Sequence, residues 1–238
     1  MALGSQPRWT VRSADAQVGI DVGLREYMLR VYNYMASGLA LTGIVAYVAA
    51  YSGFYASIAR TPVIWLVILA PLGLVMLMSF GINKMQASTL QLVFWGYSAL
   101  MGLSLAVLFI VFTHESIARV FFITAGTFAA MSLYGYTTRR DLTQFGSFLF
   151  MGLIGVIIAS LVNIFIGSTA LQFAISVIGV LVFTGLTAWD TQQIKEMYYE
   201  GDDYETGSKK AIMGALRLYL DFINLFMLLM QLLGTRRD

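Results

Sequence analysis

The chain has 238 residues, 58% of them hydrophobic and 12% charged, with a formal net charge of +2 and no cysteine. A soluble domain carries about 25% charged residues, so a water-soluble globular protein is excluded and no nucleic-acid partner is expected. The lack of cysteine excludes disulfides, thiolate nucleophiles and cysteine-ligated metals.

The N-terminal segment 1–30 begins MALGSQPRWTVRSADAQ, without the apolar run of a signal peptide. Ala2 rules out N-myristoylation. From Gln17 to Arg30, Ile20, Leu24 and Met28 recur at helical spacing, and Asp21–Arg25 and Glu26–Arg30 are i,i+4 pairs. This predicts an amphipathic helix along the membrane surface, on the cytoplasmic side.

Seven apolar stretches follow, at 31–51, 62–80, 90–112, 120–138, 146–166, 173–193 and 211–233. Each is close to the about 20 residues that cross a bilayer as a helix. The alternating segments of about ten residues that mark a β-barrel are absent. The prediction is an all-α polytopic membrane protein with one seven-helix transmembrane domain over 31–233 and a short tail, 234–238. Pro62 opens the second span, and Pro71 within it predicts a kink. Glycines recur along the spans and read as close helix packing, while Asn33, Asn163, Gln172 and Asn224 read as interhelical hydrogen bonds. Tyr51, Trp65, Trp95 and Trp189 are expected in the aromatic belts. His114, the sole histidine, reads as a solvated loop residue. The loop 195–210, KEMYYEGDDYETGSKK, is acidic but lacks EF-hand spacing, and reads as solvated or as a weak cation-attracting vestibule.

Lys and Arg counts set the threading. The N-terminal segment and the loops after spans two, four and six hold ten, from Arg8 to Lys210; the other side holds Arg60, Arg119, Arg236 and Arg237. The N-terminus is therefore expected in the cytoplasm.

The first five stretches contain no Asp, Glu, Lys or Arg, the sixth holds Asp190 and the seventh Arg217 and Asp221. A charge in hydrocarbon costs at least about 2.5–3.5 kcal/mol, so such residues face a partner or a water-filled cavity. Consecutive helices on a short loop pack side by side, which lets Asp190 and Asp221 approach. Two carboxyls that meet titrate as a pair and can share a proton, a pH switch without histidine. Arg217, one turn before Asp221, is placed to neutralise either one. Straight helices with level ends put Asp221 about 10 Å deeper than Asp190.

LYLDFINLF (218–226), the preceding AWDTQQIK (188–195) and the seven spans resemble the Bax inhibitor-1, or transmembrane Bax inhibitor motif, family over about residues 25–234. The short termini look like a bacterial member. The resemblance implies six helices around a central seventh, and a pH-sensitive calcium leak of the inner membrane in which Asp190 and Asp221 are the gating pair. It also implies a basic latch at the end of the second helix; only Lys84 stands there, and Arg217, where a small residue is common, is the other candidate. No enzyme activity and no cofactor are expected. Ca²⁺ is the permeant ion, held weakly by Asp190 and Asp221, because two carboxylates supply at most four of the about six to eight oxygens it takes. Two other readings stand beside the leak. One is a regulator or scaffold that binds other membrane proteins, such as a membrane-anchored ATP-dependent protease to which bacterial relatives have been linked. The other, an intramembrane aspartyl protease, lacks its Gly-x-Gly-Asp motif.

Overall fold

A computed structural model describes the backbone of residues 9–237 and the side chains of residues 22–237. Ala2 and the side chains of Gln17, Ile20 and Asp21 lie outside the described residues. Eight helices follow in order: α1 (Trp9–Tyr51), α2 (Phe54–Ala59), α3 (Val63–Gly81), α4 (Ala87–Val111), α5 (His114–Thr137), α6 (Thr143–Ile166), α7 (Thr169–Glu196) and α8 (Tyr204–Leu233). All but α2 contain a stretch long and apolar enough to cross a membrane, the first over Val22–Tyr51. The protein is an all-α polytopic membrane protein. The separate surface helix expected up to Arg30 is not separate: α1 continues through it into the first span. Pro71 lies inside α3, which continues on both sides of it.

Local chemistry sets the ends. Thr113, Ser168 and Asp203 occupy the N-caps of α5, α7 and α8, and their side-chain oxygens accept the N–H of Ser116, Leu171 and Thr206. Gly167 closes α6 at φ 65°, a left-handed conformation that glycine adopts without steric cost and that permits an immediate reversal into α7.

The amphipathic last helix is the axis of the bundle. In α8, 72% of the span is buried, against 17% in α3 and in α6. Its direct neighbours are α1, α4, α5 and α7, while α3 packs on α4 and α6 on α7. The six expected around the centre are thus four in contact with α8 and two outer helices whose faces meet lipid. Close helix approaches use glycine where a Cβ would strike a neighbour: Gly135 of α5 lies on the Ala188 carbonyl of α7, and Gly146 of α6 on the Trp189 ring. Trp189 is therefore wedged between helices rather than standing in an aromatic belt.

One end of the bundle carries residues 82–86, 138–142 and 197–203 together with the start of α1; it is called the basic end here for its excess of Lys and Arg. At the far end the chain after α8 pairs with the α4–α5 turn: Thr113 N–H donates to the Thr235 carbonyl and Arg237 N–H to that of Val111, both at 2.9 Å. Hence α8 traverses the whole bundle.

The acidic loop at the basic end is a clasp rather than a free vestibule. Asp202 pairs with Lys210 at 2.6 Å and Glu205 with Lys209 at 3.2 Å. Glu205 also accepts the Ala87 N–H at 2.6 Å, capping α4 from another helix. Asp203 holds its proton less tightly than an ordinary carboxyl because the Thr206 hydrogen bonds favour its charged form. Asp141, at the start of α6, is lowered for the same reason by Thr143.

Candidate functional site

Asp190 sits within AWDTQQIK, where each polar neighbour clamps α7 to something else. Thr191 contacts Ser132 Oγ at 3.0 Å, and Ser132 in turn contacts the Tyr32 hydroxyl at 2.7 Å, linking α7, α5 and α1. Gln192 accepts the Leu142 N–H and donates to the Arg140 carbonyl, both at 2.8 Å. Lys195 donates to the Tyr136 carbonyl at 2.9 Å. With those faces occupied, the Asp190 side chain is left pointing between α6 and α8.

Register brings Asp221 to it. Along the antiparallel α7–α8 contact, Gly179 faces Leu228, Ser176 meets Gln231 and Ile194 faces Gly214. Each pair of numbers adds to about 407, so Asp190 is level with residue 217 or 218. Asp221 is then three or four residues further along, about 5 Å at 1.5 Å per residue. The expected offset of about 10 Å assumed level helix ends. In fact the first two turns of α8 overhang α7 at the basic end, where Ser208 meets Arg30 and Glu205 meets Ala87.

The two carboxyls lie within hydrogen-bonding reach of each other. An ionised carboxylate only accepts, so that contact is a hydrogen bond only when the pair carries a proton. Asp221 is 5% exposed, and its Oδ2 has no hydrogen-bond partner. Arg217 Nη1 stands 3.8 Å from Asp190 Oδ1. That is an ion pair at its outer limit, not the close two-pronged fork that arginine makes at 2.7–2.9 Å. One guanidinium balances one negative charge, and one shared proton can balance the other.

The three groups open onto a cavity of about 700 Å³ between α6, α7 and α8. Arg217, Asp221, Asn224, Leu228 and Gln231 line it from α8, at the spacing of one helical face. The α6 wall, from Phe150 to Ile164, is apolar except for Ser160 and carries no ionisable group. Beyond the pair itself, Tyr27 is a titratable group near Arg217, on the side of the basic end. Among the described residues no cluster of three or more metal-ligating side chains occurs. Asp190 and Asp221 are the groups able to meet a cation here, with water or carbonyls completing its shell.

The structure brings Asp190, Asp221 and Arg217 together and leaves Lys84 exposed in the turn after α3, a helix that packs on α4 and not on α7 or α8. His114 is exposed, as expected, but begins α5 rather than standing in the loop, with the Tyr51 hydroxyl and the Arg237 guanidinium against its ring. Of the four amides expected to bridge helices, Asn163 and Gln172 do so, Asn224 donates to the Leu220 carbonyl of its own helix, and Asn33 is exposed. Thr191, Gln192 and Gln231 are functional neighbours that sequence reasoning passed over. The signal for the first two was a polar run at the end of an apolar helix.

The family model described as "Inhibitor of apoptosis-promoting Bax1" matches residues 24–238. An uncharacterized protein of Rickettsia prowazekii is 51% identical over 230 residues, 96% of this chain and 98% of that protein. The inner membrane protein YbhL of Escherichia coli K12 is 49% identical over 228 residues, 94% of this chain and 97% of its own. An uncharacterized membrane protein of Streptococcus pyogenes serotype M1 is 36% identical over 218 residues, 90% and 94% of the two chains.

Proposed function

The chain belongs to the Bax inhibitor-1 family, and on that premise we propose that it is a pH-sensitive cation leak, with Ca²⁺ as its ion, in a bacterial inner membrane. The basic end lies in the cytoplasm, as the excess of Lys and Arg there favours. Asp190 and Asp221 are the gate and Arg217 is its charge partner; Lys84, remote from the pair, has no part.

One observation carries this reading. In a chain whose first five apolar stretches lack Asp, Glu, Lys and Arg, two carboxyls and one guanidinium meet at the head of a cleft that is too large for packing and apolar on its opposite wall. Protonated, the pair is joined by a hydrogen bond and the site is neutral. Ionised, the carboxylates repel each other and present oxygens to a cation. The number of oxygens is too small for tight calcium binding. That suits conduction, since an ion held tightly does not leave.

The test is Ca²⁺ entry into proteoliposomes between about pH 6 and 8, for the parent and for Asp190→Asn and Asp221→Asn. The parent flux is expected to vary with pH, and each variant to lose that variation, because a lone carboxyl beside an amide has no second group to share a proton with. Parent flux equal to empty liposomes at every pH sinks the leak.

A further inference from the structure

The cleft extends along α8 from Arg217 to Gln231, near the far end of the bundle. Fourteen residues beyond Arg217 on the same face of α8, about 21 Å along the axis, Gln231 meets two side chains of α7. Its Oε1 accepts from Gln172 Nε2 at 2.7 Å and from Ser176 Oγ at 2.8 Å, both on α7. Gln172 Oε1 in turn accepts from Asn163 Nδ2 of α6 at 3.1 Å. Asn163 is itself fixed, since its Oδ1 accepts the Ser168 N–H at 3.0 Å in the α6–α7 turn. The result is a chain of amides at the end of the cleft, α6 to α7 to α8, with Gln172 as the link between Asn163 and Gln231.

We propose that Asn163, Gln172, Ser176 and Gln231 are a second closure of the cleft, in series with the aspartates and at the opposite mouth. The proposal rests on the cleft being the ion's route. Three features favour a closure over a packing contact. Gln231 lines the same cavity as Asp221 and stands at its end. The bonds tie α6 to α7 and α7 to α8 through the Gln172 side chain, so they link α6 indirectly to α8, a helix with which it otherwise packs little. Each interhelical hydrogen bond of this kind averages about 0.6 kcal/mol in a membrane, weak enough to open and re-form. Amides do not titrate near neutral pH, so this mouth is blind to the pH that acts on the carboxyls. Its oxygens and N–H groups offer a dehydrating cation new partners as it leaves.

The absence of cysteine makes a direct test clean. A thiol introduced as Asn224→Cys lies in the cleft between the aspartates and the amides. In proteoliposomes, a membrane-impermeant charged methanethiosulfonate added outside is expected to label it slowly. In Gln231→Ala, and separately in Gln172→Ala, the labelling rate should rise about tenfold, equivalent to about 1.4 kcal/mol. Thr235→Cys, beyond the amides at the far end, reports the fraction of molecules with that end outward, and monodisperse elution confirms folding. A rate within about twofold of the parent background in either variant overturns the closure. The readout does not use ion flux. Faster labelling in both variants together with no calcium entry into the parent would remove the leak and keep the closure.

Discussion

The two faces of α8 are built on opposite plans. Where it does not border the cleft, the helix is dry and fully packed: Ile212, Ala215, Leu218, Tyr219 and Leu225 have no exposed surface. The Tyr219 ring meets Tyr97 and Phe94 edge-on at 5.3 and 6.1 Å between centroids, and its hydroxyl meets Thr42 Oγ1 at 2.6 Å. A hydroxyl has one proton, so Thr42 accepts from Tyr219 and gives its own proton to the Ser98 or Gly38 carbonyl. Toward α6 the same helix shows Arg217, Asp221, Asn224 and Gln231 to a cavity. A close-packed wall has one arrangement and resists displacement. A cavity lined by groups that change partners has room for two. The difference places rigidity on one side of the central helix and the capacity to switch on the other.

The largest effect should come from the packed face. Leu218→Ala deletes a fully buried side chain and is expected to cost about 2–5 kcal/mol, the range for leucine truncations that leave a cavity. Leu220→Ala, two residues on, removes the same atoms from a side chain that already borders the cleft. No new enclosed void forms, so the cost should be below about 1.5 kcal/mol. Thermal unfolding of the purified protein in detergent measures both. Equal destabilisation would break the contrast between the faces.

The cleft face should respond in function before stability. Arg217→Ser leaves Asp190 without its cation and is expected to move the pH dependence of calcium flux while changing thermal stability little, because the pair is a single long contact with a half-exposed guanidinium. His114→Gln is the control. It removes the only histidine in the chain, which stands at the far end against Tyr51 and Arg237. The flux profile should be unchanged. A profile that follows His114 and ignores Arg217 would relocate the pH sensor to the far end.

Much of this was legible in the sequence, and the parts that were not share a cause. Composition and the seven apolar runs gave the helices, because a bilayer accepts no alternative for stretches of that length. The rarity of charge in the spans singled out Asp190, Arg217 and Asp221 from 238 residues. The helical offset of four put Arg217 and Asp221 on one face. What failed was everything set by how far one helix slides along another. The overhang of α8 past Glu196 follows from the pairing of Gly179 with Leu228 and Gly214 with Ile194, tertiary matches with no local signature. Lys84 and Arg217 were rival latches in one dimension; only the stacking of α3 outside α4 separates them. Gln231 belongs to no motif, and its partners Gln172 and Ser176 reach it only through the register of α7 on α8.

The smallest effect belongs to Asp203, which stands on neither face and holds the overhanging first turn of α8. Its carboxyl is lowered by the Thr206 hydrogen bonds, so it contributes stability above the ordinary aspartate value, near pH 4, and that contribution is lost as pH falls through the lower folded value. Between about pH 6 and 8 it is ionised in both the folded and unfolded states, and its contribution is flat. Asp203→Asn keeps a side-chain oxygen for the cap but removes the titration. The expected outcome is an unchanged calcium-flux profile between about pH 6 and 8, with a shallower loss of thermal stability below about pH 4. A changed flux profile near neutrality would mean that the clasp at the basic end, and not the aspartate pair, sets the response to protons.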